Sequence, residues 1–397
     1  MVEDRCKPNS NAYAYLKKYS ALCERECIQF EGDKCKILES ACPVCFNRAR
    51  HCPDDAVIVI NLPEELDSEM THCYGENGFR LFRLPAPRQE QVVGILGPNG
   101  MGKSTAVNLL SGSIKPNLGD WRNDSPDWDE VIQTFPRGEL RDYLALLSEE
   151  GVTIAVKPQY IDRLPKIFEG EVRELLERVD DRGEIVRYSE SLGIEHILSR
   201  KLGSLSGGEL QRVALCATLL KEADVYFFDE PSSYLDIYER MRMVGIIQDL
   251  SSNGKRVLVV EHDLAILDVL CDLLHVVYGE RAGYGIFTPP RTTRTAINAY
   301  LDGYLPEENV RIRDKPIKFV RGRTRGEDIG LPILKWGDME KKMGDFHLTT
   351  GQGQVRSAEV IGVVGPNATG KTTMVKMIAG ELEPDQGWCT MEASVSY

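Results

Sequence analysis

The sequence predicts an α/β fold laid out twice along the chain, behind a small cysteine-rich α+β domain. Three observations carry this. Residues 97 to 119, GPNGMGKSTAVNLLSGSIKPNLG, match residues 365 to 387, GPNATGKTTMVKMIAGELEPDQG, at a constant offset of 268. In each copy an apolar run, VVGILG or VIGVVG, reads as a strand that leads through a glycine loop into a helix of apolar spacing. Eight of the eleven cysteines fall before residue 74.

The 397 residues are enough for two or three domains. An apolar content of 42% and a charged content of 27% are ordinary for a globular protein. The start, MVEDRCKPNS, has no apolar h-region, and no run approaches the roughly 18 apolar residues of a membrane span. A cytosolic location is therefore expected. In such a reducing compartment crowded cysteines suggest metal or cluster ligands rather than disulfides. The net charge of −13 argues against nucleic acid, but RIRDKPIKFVRGRTR, residues 311 to 325, carries seven Lys or Arg and one Asp. That stretch reads either as a solvated linker or as a stripe for phosphate backbones.

The repeat defines two domains, since each copy holds a G-x4-G-K-[ST] loop in its proper strand-to-helix context. Glycines let the backbone close around phosphate, with N–H groups pointing inward and a helix N-terminus behind them. In the first copy this assigns Gly97, Asn99, Gly100, Gly102, Lys103, Ser104 and Thr105 to nucleotide. In the second it assigns Gly365, Asn367, Gly370, Lys371, Thr372 and Thr373. Lys103 and Lys371 would reach the β- and γ-phosphates of ATP, and Ser104 and Thr372 would ligate Mg²⁺. Adenine needs an aromatic face, and Tyr74 and Phe79 are the candidates ahead of the first loop; core packing is the alternative for both.

Between the loops lies a set of motifs in ABC order. LSGGELQR, residues 205 to 212, resembles the ABC signature and supplies Ser206, Gly207 and Gly208. VYFFDEP, residues 225 to 231, resembles a Walker B strand. There Asp229 would hold Mg²⁺ through water, and Glu230 would polarise the attacking water. Gln159 fits the Q-loop, Asp236 the D-loop, and His262 the γ-phosphate switch.

The cysteine-rich start followed by INLPEEL and two ABC copies is similar to the RNase L inhibitor family, the ABC-E ribosome-recycling ATPases. The likeness extends through SPDWDEVIQTF (125 to 135), KPQYIDRLPK (157 to 166), FDEPSSYLD (228 to 236), VVEHDLAILD (259 to 268) and AYLDGYLPEENVRIRD (299 to 314). It implies a ferredoxin-like iron–sulfur domain over 1–64 and a first ABC domain over 70–290. A helix-loop-helix insert lies at 120–150, a hinge at 291–318, and the N-terminal part of a second ABC domain at 319–397. In the insert Ser125 is expected to cap, Pro126 to start a helix and Gly138 to break two helices. The resemblance further implies ATP hydrolysis, ATP-driven closure of the ABC pair and movement of the iron–sulfur domain against the ribosome. Implied partners are ribosomal subunits, the small subunit and its RNA above all, and release-factor-like proteins. No membrane and no obligate homo-oligomer is implied. Arg311, Arg313, Arg321 and Arg323 would face RNA phosphates.

Two departures from the family pattern stand out. No second Q-loop, signature, Walker B or switch histidine occurs up to Tyr397. A fragment or short form is expected, with slow turnover, because Ser206 and Gly208 serve the Lys371 loop while Lys103 lacks a facing signature. A non-catalytic nucleotide-binding fragment and the ATPase subunit of a membrane transporter are the alternatives. In the cysteine domain, the family's eight ligands for two 4Fe-4S clusters reduce to Cys6, Cys23, Cys27, Cys42, Cys45 and Cys52. Tyr19 and Arg48 stand at the other two positions, and Cys35 is an additional thiol. Clusters with a substitute ligand, one zinc on Cys23, Cys27, Cys42 and Cys45, or a metal-free domain all remain open. Cys73, Cys216, Cys271 and Cys389 read as ordinary thiols.

Overall fold

The computed structural model describes residues 10–20, 28–31, 34–37, 52–53, 66, 69–76, 78–122, 126–319, 331–344, 346–357 and 359–391. These form two compact units, one of residues 1–64 with 302–316, the other of residues 65–301 with 317–397.

In the first unit, helix α1 (Asn11–Ser20) buries Ala12 and Leu16. They pack with Cys35 and Cys52, and Tyr13, Tyr15, Ile28 and Phe30 border the cluster. Strands β1 (Ile28–Glu31) and β2 (Lys34–Ile37) pair antiparallel. A second short hairpin in this unit joins Tyr304–Leu305 to Val310–Arg311. Of the expected cluster ligands only Cys52 is described. Cys6, Cys23, Cys27, Cys42 and Cys45, and also Arg48, lie outside the described residues. Among the described residues no group of three or more His, Cys, Asp or Glu could hold a metal ion.

The second unit is built on a sheet that runs, in strand order, β3 (Met70–Cys73), β4 (Arg80–Phe82), β10 (Tyr284–Phe287), β9 (Leu273–Glu280), β5 (Val92–Leu96), β8 (Arg256–Val260), β7 (Val225–Asp229) and β6 (Ile154–Lys157). From β6 through β5 to β9 all neighbours are parallel. β5 and β7 are buried at every position, as continuous apolar runs such as VVGIL and VYFF require when helices cover both faces. Helix α2 (Lys103–Leu110) follows β5 directly. The core joins its Ala106, Leu109 and Leu110 to Val93, Ile95, Phe227 and Leu258 of the sheet.

Two helices, α3 (Trp128–Thr134) and α4 (Glu139–Ser148), make the expected helix-loop-helix, with Gly138 between them. The start of α3 differs from expectation: Asp127 caps it, accepting from the Trp128 amide at 2.8 Å, so Pro126 precedes the cap. Asp127 has the extended backbone of a cap residue, φ −62° and ψ 155°, and its carboxylate suits the amide end of the helix. Ser125 lies outside the described residues. Beyond these, α5 (Val172–Val179) and α6 (Ile185–Leu192) lead to α7 (Gly207–Leu219), and α8 (Ile237–Ser252) joins β7 to β8. Among the described residues no helix is long and apolar enough to cross a membrane.

The second copy keeps its glycine loop and helix, α11 (Lys371–Ile378, with α9 at Leu264–Leu270 and α10 at Thr293–Asp302 before it). Its expected strand VIGVVG does not form. Val360 and Val364 are 97% and 88% exposed, where their counterparts Val92 and Leu96 are 1% exposed. A strand exists only through its neighbours. β5 lies between β8 and β9, and no described strand pairs with residues 360 to 364. Cys73, Cys216 and Cys271 are buried thiols and Cys389 is half-buried, as expected.

Candidate functional site

Parallel strands bring their C-terminal ends to one edge, where a doubly covered sheet binds ligands. β5 ends in the first phosphate loop, β7 in Asp229 and Glu230, β8 in Glu261 and His262, and β6 in Lys157 and the Q-loop. Residues from Gly97 to His262 thus converge because β6, β7, β8 and β5 are adjacent.

The loop wraps tightly. Gly100 and Gly102 adopt φ of +81° and +83°, which only glycine reaches without cost. Lys103 Nζ donates to the carbonyls of Gly97 at 2.8 Å and Pro98 at 2.9 Å and to Asn99 Oδ1 at 3.3 Å. Burial lowers its pKa to about 8, against the raising pull of Asp229 and Glu230. Its ammonium sits in the hollow where phosphate oxygens would replace these carbonyls. Ser104 Oγ donates to Asp229 Oδ2 at 3.4 Å. Two hard oxygens this close suit shared Mg²⁺ coordination, directly or through water. Burial, with Glu230 beside it, raises Asp229 to about 6. A divalent cation would reverse that penalty.

Glu230 faces the same hollow. One carboxylate oxygen accepts from Gln159 Nε2 at 2.7 Å and lies 3.5 Å from His262 Nε2. Burial, then Lys103, lowers the His262 pKa, which favours the neutral ring at pH 7. The sequence reading singled out Lys103, Ser104, Gln159, Asp229, Glu230 and His262, and the structure gathers all six around this hollow. It missed three buried neighbours. Glu261 accepts from the amides of Ser232 at 3.0 Å and His262 at 2.8 Å, fixing the switch loop to the D-loop. Lys157 and Gln211 reach the carbonyls around Glu230. Charged or amide side chains inside apolar strand and helix patterns were the available signal.

The two aromatic candidates part company. Tyr74 is 51% exposed, and its hydroxyl donates to Thr105 Oγ1 at 3.4 Å, so its ring stands beside the loop. Phe79 packs beneath Gly102 and borders the core, which is the packing role. The second copy repeats this wedge with Phe346 and Leu348 beneath Gly370. There Lys371 Nζ donates to the carbonyls of Gly365, at 2.7 Å, and Pro366. Thr372 and Thr373 follow in the first turn of α11.

The second loop faces the first copy's signature region. Asn367 donates its amide N–H to Asp236 Oδ2 at 3.0 Å. Its side-chain Nδ2 donates to Tyr234 O at 3.1 Å and Glu239 Oε2 at 3.3 Å. A methyl group on Gly208 would lie 3.5 Å from Asn367 Nδ2. Ser206 caps α7 in a reciprocal box with Glu209, and Gly207 and Gly208 form its first turn. Asp236 caps α8 and takes the Asn367 contact with its other oxygen. Arg311 and Arg313 lie in the first unit, and Arg321 and Arg323 are outside the described residues.

A phosphate loop opposed by the serine–glycine start of a helix, across a D-loop, defines the ABC class of ATP-binding domains. The family described as ABC transporter matches residues 87–233 and 348–396. Translation initiation factor RLI1 of Saccharomyces cerevisiae is 39% identical over 99% of this chain and 66% of its own length. A solved structure titled RNase-L Inhibitor is 48% identical, with a TM-score of 0.78 over 83% of this chain and 63% of that one. One of ribosome-bound archaeal Pelota and ABCE1 is 45% identical, with a TM-score of 0.77 over 98% and 66%. The chain belongs to the RNase L inhibitor family, the ABC-E ATPases. It spans 65% to 66% of the length of such relatives.

Proposed function

We propose that this chain binds and hydrolyses ATP in ribosome recycling in the cytoplasm, and that closure of its ABC pair drives the splitting of ribosomal subunits. The observation that carries the reading is the docking of Asn367 on Tyr234, Asp236 and Glu239 beside Gly208. That head-to-tail contact is where an ABC pair encloses nucleotide. The placement of relatives in translation and on the ribosome supports the biological role.

In the Lys103 site, the loop amides and Lys103 would bind the phosphates, and the Tyr74 ring would take adenine. Ser104 and Asp229 would hold Mg²⁺, which neutralises phosphate charge. Glu230 would take a proton from the attacking water, while Gln159 fixes its carboxylate and His262 donates to the γ-phosphate. In the Lys371 site, Gly365, Asn367, Gly370, Thr372 and Thr373 would hold the phosphates, and Ser206, Gly207 and Gly208 would close over them.

Cys6, Cys23, Cys27, Cys42, Cys45 and Cys52 are proposed to hold iron–sulfur clusters. Cys52 lies buried with Cys35 in an apolar cluster, surroundings that suit a shielded cluster thiolate. Iron per chain from an anaerobic preparation tests this; zinc in its place, or neither metal, refutes it.

For the main reading, the test is sedimentation with isolated ribosomal subunits. Co-migration that requires a non-hydrolysable ATP analogue and weakens with salt is expected. Failure to co-migrate under any nucleotide condition would refute the ribosomal role and leave the ATP site standing.

A further inference from the structure

Glu230 has a φ of +47°, a left-handed backbone that is strained for a residue carrying a Cβ. Such a conformation persists only where the surroundings over-determine it. Its own amide donates to Val260 O at 2.9 Å, which anchors one side of the turn. Two buried side chains hold the other. Lys157 Nζ donates to the carbonyls of Asp229 at 2.9 Å and Glu230 at 3.3 Å. Gln211 Nε2 donates to the carbonyls of Glu230 at 2.9 Å and Pro231 at 2.8 Å. Three successive carbonyls thus point at two donors. Both residues are 0% exposed. Lys157 ends β6 and Gln211 sits inside α7, so the turn is gripped from two different elements.

Burying an ammonium is costly, and an apolar side chain of the same length would fill the space without that cost. Simple packing does not explain a lysine here. Its bonds go to backbone oxygens rather than to a carboxylate, so they fix geometry more than they neutralise charge. Bonds from an ammonium to these carbonyls are charge-assisted.

We propose that Lys157 and Gln211 are positioning residues that clamp the left-handed turn at Glu230, aiming its carboxylate between Gln159 and His262. This rests on Glu230 being the base. Neither residue touches substrate; both act through the backbone of residues 229 to 231.

The test uses Lys157→Met and Gln211→Met in the full chain, the second serving if the first fails to fold. Hydrogen exchange at the amides of residues 229, 230, 232 and 233 is measured without nucleotide. Removal of two hydrogen bonds should speed it roughly tenfold or more, with other core amides unchanged. Single-turnover hydrolysis, protein in excess over labelled ATP, should slow by about ten- to a hundredfold, while the Kd for a fluorescent ATP analogue stays within about twofold. In a Glu230→Gln background, Lys157→Met should add no further loss. Unchanged local exchange, a parallel loss of nucleotide binding, or an additive loss in the double variant each overturns the clamp. If Glu230→Gln alone leaves turnover unchanged, the base reading fails, and hydrogen exchange still decides whether the clamp exists.

Discussion

Substituting Gly102 by alanine separates two physical costs that the phosphate loop combines. Gly102 has φ +83°, and an added Cβ would lie 2.6 Å from two Phe79 ring atoms and 2.7 Å from Leu81 Cδ1. Gly254, after α8, has φ +82° but nothing within 4 Å of the same atom. Gly254→Ala therefore pays only the left-handed penalty, about 1–2 kcal/mol. Gly102→Ala adds overpacking of about 1–3 kcal/mol, because an aromatic ring wedged against the core cannot yield cheaply. Thermal unfolding should show Gly254→Ala lowering Tm by about 2–5 °C and Gly102→Ala by roughly twice that or more. Phe79→Leu, combined with Gly102→Ala, should recover part of the loss, since the two share one contact. Nucleotide affinity should fall in Gly102→Ala alone, because the strain enters the loop through Lys103's helix. Equal destabilisation by the two alanines, or simple additivity with Phe79→Leu, would refute the argument.

Further outcomes follow from the same geometry. Ala368 carries φ +60° where the first copy has Gly100, so Ala368→Gly should stabilise the second loop by about 1 kcal/mol in denaturant titration; no gain would mean that its neighbours already absorb the strain. Asn367→Ala removes the bonds to Tyr234 O and Glu239, and a cycle with Glu239→Gln should give a coupling of about 0.5–1 kcal/mol, against zero if the contact contributes nothing. His275 is buried, its Nδ1 2.7 Å from Thr288 O, and burial lowers its pKa to about 4. The unfolded chain, near the ordinary 6.5, binds the proton first on acidification, so stability is present above that value and is lost as pH falls toward 4. His275→Gln should flatten the loss between pH 7 and 5 by about 2 kcal/mol in urea unfolding, and an unchanged slope would refute the assignment.

Much of the site was legible because its chemistry is local. A phosphate loop needs glycines at fixed spacing, a lysine and a hydroxyl, and a strand before it; all lie within a dozen residues. Asp229–Glu230 and His262 sit at strand ends, where an apolar run stops on a charged or polar residue. The second VIGVVG shows the limit. It carries the same local pattern as VVGILG, yet among the described residues only the first run has parallel strands on both sides. The cap of α3 at Asp127 shows another, since Ser125, Pro126 and Asp127 are all plausible starts and the backbone path selects one.

The sequence by itself determined the duplicated phosphate loops, the order of the motifs around them and the family, because each depends on residue types at short, fixed separations. Only the tertiary structure decided that Asn367 meets Tyr234 and Glu239, that Phe79 wedges beneath Gly102 while Tyr74 stays open, and that Lys157 and Gln211 grip the turn at Glu230. Those contacts join residues up to 133 positions apart. Their geometry depends on how strands and helices stack, and no periodicity along the chain encodes where a buried donor's hydrogen will point.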